Sequence, residues 1–183
     1  MKGFPMTTQE LTATEGVPLP SRKPQSLRAA WPALLGLCLA MLVEMVDNSI
    51  LNVALPTVGR DLQANPTDLQ WIVGAYSLTF GGLLMVGGTL GDKLGRRRTL
   101  LTGLALFGAA GLAVLLVQTP AQLIAVRALS GAFAALMAPL TMSLVFRLFD
   151  REDLRTKAIG VIMVVSMIGF AIGPTLAGLA VQS

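Results

Sequence analysis

From residue 31 onward the chain alternates between long apolar blocks and short polar gaps. The blocks cover about 31–55, 69–90, 99–117, 121–146 and 158–181. Each is close to the ~20 residues an α-helix needs to cross ~30 Å of hydrocarbon. A strand reading fails, because an open sheet in lipid leaves backbone groups unsatisfied. The pattern predicts an all-α polytopic membrane protein with five transmembrane helices. Trp71 and Tyr76 fall in the first turns of the second block, where interfacial aromatics are expected.

The gaps differ in charge. The stretch 1–28 is polar, rich in Pro, Thr and Ser, and carries Lys2, Arg22, Lys23 and Arg28. It reads as a flexible tail rather than a secretory signal, because the first apolar run starts late and is too long. The 91–98 gap holds Lys93, Arg96, Arg97 and Arg98, and the 147–157 gap holds Arg147, Arg151, Arg155 and Lys157. The 56–68 gap has only Arg60, and the 118–120 gap has no basic residue. Basic and poor gaps alternate, so one side of the membrane collects the positive charge. The positive-inside rule then puts the N-terminus in the cytoplasm and residues 29–183 in the cell inner (plasma) membrane. The mixed-sign segment 147–157 reads as a solvated loop or a short interfacial helix. Five spans ending at Gln182-Ser183 suggest a truncated chain.

Composition removes competing classes. Of 183 residues, 54% are hydrophobic and 13% charged, against about 25% charged in a soluble domain. The net charge of +4 sits between the apolar blocks, as membrane orientation requires, so no nucleic-acid partner is expected. Membrane lipids are the expected surroundings. Cys38 is the one cysteine and there is no histidine. No metal framework and no imidazole proton relay can be built, and proton chemistry falls to carboxylates. With no His, no usable Cys and no paired catalytic motif in the loops, an enzyme is not expected.

Charge inside a span is costly and points to function. Three such residues occur: Glu44, Asp47 and Arg127. Glu44 and Asp47 are three apart and share a helix face. Asp47 lies ~12 Å and Arg127 ~9 Å inside the outer ends of their spans at the helical rise. A pair facing a central cavity is therefore geometrically possible. Asp47 is a candidate proton carrier, with a static bundle-stabilising ion pair as the other reading. Glu44 is either a second transport residue or a simple hydrogen-bonding partner. Asn48, Asn52 and Gln70 are candidate cavity-lining groups. The methionines at 41, 45, 137, 142, 163 and 167 read as apolar filler.

Several short stretches carry a resemblance. Gly88-x-x-x-Asp92-Lys93-x-Gly95-Arg96-Arg97, between the second and third spans, resembles the loop signature of the major facilitator superfamily. Val46-Asp47-Asn48-Ser49-Ile50-Leu51-Asn52-Val53-Ala54-Leu55-Pro56 is similar to the span-one motif of its fourteen-span drug:proton antiporter branch. Arg127-Ala128-Leu129-Ser130-Gly131 resembles the R-x-x-Q-G motif, with Ser130 in place of glutamine. Gly169-x-x-x-Gly173-Pro174-x-x-x-Gly178 resembles the antiporter motif of span five, with Ala177 in place of the first of its paired glycines.

The resemblance implies the first five helices of a major-facilitator N-terminal bundle. It implies proton-coupled efflux of drugs or other small molecules by alternating access, with the proton gradient as energy source and no cofactor. Protons, a small-molecule substrate and a missing C-terminal transmembrane half are the implied partners. Asp92, Lys93 and Arg96 are implied as a conformational switch, with Gly88, Gly95 and Arg97 completing the loop motif. Gly169, Gly173, Pro174 and Gly178 are implied as a proton-leak seal and bending point. The remaining reading is a non-transporting truncated protein that only packs with other helices.

Overall fold

A computed structural model describes residues 30–182, with side chains described to Thr175. The 1–28 tail lies outside the described residues. Five helices follow one another: α1 (Trp31–Asp61), α2 (Pro66–Leu94), α3 (Arg96–Ala113), α4 (Pro120–Leu148) and α5 (Glu152–Gln182). A single 3-10 turn, Val114–Leu116, closes α3. All five are long and apolar enough to cross a membrane, and the protein is an integral membrane protein.

The helices overrun the apolar blocks because their ends are fixed by polar chemistry beyond the hydrocarbon. α2 starts at Pro66 because Asn65 closes a reciprocal cap. Its side chain accepts from the Asp68 amide at 2.9 Å, and Asp68 accepts from the Asn65 amide at 3.1 Å. α4 starts at Pro120 behind Thr119, which accepts from the Gln122 amide at 3.3 Å. α1 runs on through Pro56 to Asp61. The segment 147–157 is a loop only at 149–151, and the rest belongs to two long helices rather than to a separate interfacial helix. α4 ends at Leu148 and α5 begins at Glu152, and Arg155 Nε donates to the carbonyl of buried Phe149 at 2.7 Å, satisfying the freed end of α4.

α2 and α3 meet at one residue, Gly95, with φ +96°. Gly91, one turn earlier, is helical and faces the Leu140 side chain. An added Cβ at Gly95 meets nothing within 4 Å, so the position needs glycine for its backbone alone. Gly95→Ala is expected to lower stability by about 1–3 kcal/mol through backbone strain. Melting of the detergent-purified protein checks this, with Gly36→Ala, also in open space but inside α1, as the control that should not destabilise.

Packing divides the helices unevenly. α2 and α3 both rest on α4, α1 rests mainly on α5, and α1 touches α4 over a shorter stretch. Small residues set the closest approaches, as expected where lipid offers no hydrophobic drive for association. At Gly87 a Cβ would run into the Ala135 carbonyl oxygen, and at Gly131 into the Tyr76 carbonyl oxygen and Thr79 Oγ1. α1 and α5 are stitched by Ser49, whose hydroxyl donates to the Phe170 carbonyl at 2.7 Å. Gly173 leaves the room that Ser49 needs. An apolar core of Leu34, Leu37, Phe149, Leu154, Ala158 and Ile162 joins the N-terminal part of α1 to the start of α5.

Candidate functional site

Glu44, Asp47 and Asn48 recur at the spacing of one helix face, midway along α1. Arg127 sits in the second turn of α4, where Gly131 lets α2 approach within backbone contact. That approach brings Tyr76 of α2 beneath the guanidinium. Arg127 Nη1 donates to Asp47 Oδ2 at 2.7 Å, and Nη2 reaches Asn48 Oδ1 at 3.5 Å. The guanidinium carbon lies 4.5 Å from the Tyr76 ring centroid, a cation–π arrangement. Asn48 Nδ2 donates to the Tyr76 hydroxyl at 3.2 Å, and that hydroxyl donates to Glu44 Oε1 at 3.4 Å. Phe80 stacks on Tyr76 with ring centroids 6.0 Å apart.

Five side chains from three helices thus form one connected polar cluster inside an apolar bundle. Arg127 and Glu44 are buried, at 3% and 5% exposure. The Asp47 side chain is 23% exposed, so it is the open end of the cluster. Two polar atoms are buried without a partner among the described residues: Glu44 Oε2 and Arg127 Nε. Buried charge is tolerated only when paired, and the Asp47–Arg127 contact supplies that pairing.

The other expected residues lie elsewhere. Asn52 is exposed and donates back to its own helix, at the Asn48 carbonyl, at 2.8 Å. Gln70 is exposed in the second turn of α2. Neither joins the cluster. Gly169 faces the Leu42 carbonyl of α1, where an added Cβ would come within 3.2 Å, and Gly173 faces Ser49. Pro174 is exposed within α5. The surroundings of Gly178 lie outside the described residues.

At the α2–α3 junction, Asp92 at the end of α2 pairs with Arg96 at the start of α3 at 2.7 Å. Lys93 and Arg97 are exposed. Arg97 stands on the rim of an apolar groove of about 520 Å³ between α1, α3 and α4, lined by Leu37, Leu101, Leu104 and Leu144 among others. Gly88 is half-buried, with only the Pro139 side chain near, at 4.0 Å. The Asp92 side chain is 61% exposed. Asp92→Asn is therefore expected to change stability by less than about 0.5 kcal/mol, read as a melting midpoint that barely moves.

Tyr76 was expected at the membrane interface and is instead 8% exposed within the cluster. Starting the second helix at Leu69 puts Tyr76 near its mouth. The Asn65 cap moves the start back, so Tyr76 lies ten residues in, or ~15 Å along the axis. The Asn65-Pro66-x-Asp68 spacing was the signal that would have placed it. Trp71, five residues earlier, is exposed. Among the described residues no group of three acidic, Cys or His side chains is placed to hold a metal.

Comparison with known proteins agrees with this architecture. The Major Facilitator Superfamily matches over residues 37–183. The chain is 41% identical over 152 residues to a puromycin resistance protein of Streptomyces alboniger, covering 83% of this chain and 30% of that one. It is 42% identical over 149 residues to a cephamycin export protein of Amycolatopsis lactamdurans, covering 81% and 31%. It is 38% identical over 167 residues to a multidrug efflux pump of Mycolicibacterium smegmatis, covering 91% and 32%. The chain thus spans under a third of the length of these curated relatives. With a family match over most of its length and helices packed as one bundle around a part-buried carboxylate–guanidinium pair, the chain belongs to the major facilitator superfamily.

Proposed function

We propose that this chain is the proton-handling part of a secondary transporter that exports drug-like small molecules in exchange for protons. The observation that carries the reading is the Asp47–Arg127 ion pair, deep within the bundle and open at the aspartate. Arg127 cannot give up its charge. Asp47 can, and its partly exposed carboxylate is the member of the pair that water reaches. A proton taken up at an Asp47 carboxylate oxygen cancels the attraction to Arg127 and releases that contact, so α4 can change how it sits on α1. That couples occupancy by a proton to helix packing, which alternating access requires. The resistance, export and efflux named for the three relatives supports a small-molecule cargo. A C-terminal helical half completes the transport path, and the Asp92–Arg96 pair at the α2–α3 junction favours one arrangement of the two halves. Membership of this superfamily speaks against an enzymatic role. The basic loops support a plasma-membrane protein with its N-terminus in the cytoplasm.

The test is dye efflux from cells lacking their own pumps, with the protein expressed in its native reading frame. Ethidium should leave these cells faster than control cells, and a protonophore should abolish the difference. Asp47→Asn should reduce proton-driven efflux at least ~100-fold, the lower end of what losing a positioned proton-transfer group costs, at unchanged expression. Normal efflux by Asp47→Asn would remove Asp47 from the mechanism. No efflux by the wild type would favour a chain that only packs with other helices.

A further inference from the structure

Glu44 plays no part in the exchange just described, yet it is the more deeply buried carboxylate. Its Oε2 is an acceptor without a donor, while Arg127 Nε is a donor without an acceptor. Both residues touch the same side chain. Glu44 Oε1 takes the Tyr76 hydroxyl, and the Arg127 guanidinium lies over the Tyr76 ring. Glu44 and Asp47 are three apart on α1, so their side chains leave the same face.

We infer that Arg127 has two alternative carboxylate partners on α1, and that neutralising Asp47 hands its guanidinium to Glu44. The inference rests on Asp47 as the group that takes up the proton. The charges balance in the second arrangement. The proton sits on an Asp47 oxygen, the Arg127–Asp47 hydrogen bond is lost, and the Arg127 cation is cancelled by the Glu44 carboxylate. A bare guanidinium in the bundle would otherwise resist protonation of Asp47, and Glu44 removes that resistance. Tyr76 is the positioning residue: its ring face lies under the guanidinium in passage, and its hydroxyl holds Glu44 in line. The other elements add no competitor. α2 contributes Tyr76 and α4 contributes Arg127, while α5, which also packs on α1, has no charged or titratable side chain from Ala158 to Thr175.

The experiment is a double-mutant cycle on the detergent-purified chain, read as the drop in melting midpoint. It needs no transport, so it can fail while the efflux reading stands, and the reverse. Either carboxylate should serve Arg127 alone, so Asp47→Asn and Glu44→Gln should each fold and melt close to the wild type. Together they strand Arg127, and the drop should exceed the sum of the two singles at least ~3-fold, far from additivity. A double variant that does not fold while both singles do gives the same answer. Additive drops, or a double variant no worse than Asp47→Asn, overturn the inference. So does a single variant that fails to fold, because its Arg127 still has a carboxylate to receive it. A spectroscopic reading is also available, since Tyr76 is the one tyrosine of the chain. With 3-fluorotyrosine incorporated, its single resonance should shift in Asp47→Asn relative to wild type. That shift should be absent when Asp47→Asn is compared on a Glu44→Gln background. A shift that persists there overturns the hand-over.

Discussion

Arg127→Met is expected to destabilise the protein by about 3 kcal/mol, the lower end of what removing one partner of a buried pair costs. The lower end applies because Asp47 is 23% exposed and regains some hydration when abandoned. The loss has three sources on the two helices that face Arg127. Asp47 and Glu44 are left as neighbouring carboxylates with no cation, Asn48 Oδ1 loses a donor, and the Tyr76 ring loses the charge above it. Methionine fills much of the volume, so a cavity is not the cause. Thermal melting in detergent checks the value. Adding Asp47→Asn to Arg127→Met should restore part of the stability, because it removes one stranded charge. Arg127→Lys keeps the charge but not the flat, forked donor set, and should fall between. A melting midpoint for Arg127→Met within a degree or two of wild type would mean the pair contributes nothing to folding.

Gly131→Val is expected to be at least as damaging, about 3 kcal/mol or more, at the upper end of overpacking effects. The reason is the identity of the atoms it strikes. A Cβ at 131 runs into the Tyr76 carbonyl oxygen and Thr79 Oγ1. Backbone cannot swing aside as a side-chain tip can, so α4 must back away from α2. That retreat carries Arg127, one turn earlier on the same helix, off the Tyr76 ring. Gly82→Val, where an added Cβ meets nothing within 4 Å, should leave the melt nearly unchanged. Equal behaviour of the two variants would show the α2–α4 contact to be looser than described.

The five helices were legible in the sequence because lipid enforces a simple rule, about 20 apolar residues per crossing. Their ends were not, because they lie outside the hydrocarbon and answer to local caps such as Asn65 with Asp68 and Thr119 with Gln122. Asp47 and Arg127 stood out as charges where charge is costly, and similar depths were enough to suggest the contact. Tyr76 did not stand out. A tyrosine near the start of an apolar run reads equally well as an interfacial anchor, and what buries it is the missing side chain of Gly131, 55 positions away on another helix. The glycines showed the same limit. Gly88 belongs to the recognisable loop pattern, yet it is Gly87 and Gly91 that meet α4 closely. Which member of a glycine-rich turn faces a neighbour depends on helix rotation, which the sequence does not display.

The α2–α4 seam also constrains how this protein can diverge. Where backbone lies against backbone at Gly87 and Gly131, nearly every substitution adds volume that has nowhere to go. Selection can keep such sites or lose the fold, with little between. Change is instead channelled to faces with room, such as Asn52 and Val53 on α1, Leu78 and Gly82 on α2, and Leu129 on α4, all exposed in this bundle. A lineage could rewrite those positions many times over while the cluster around Arg127 stayed mounted on the same unchanging joint.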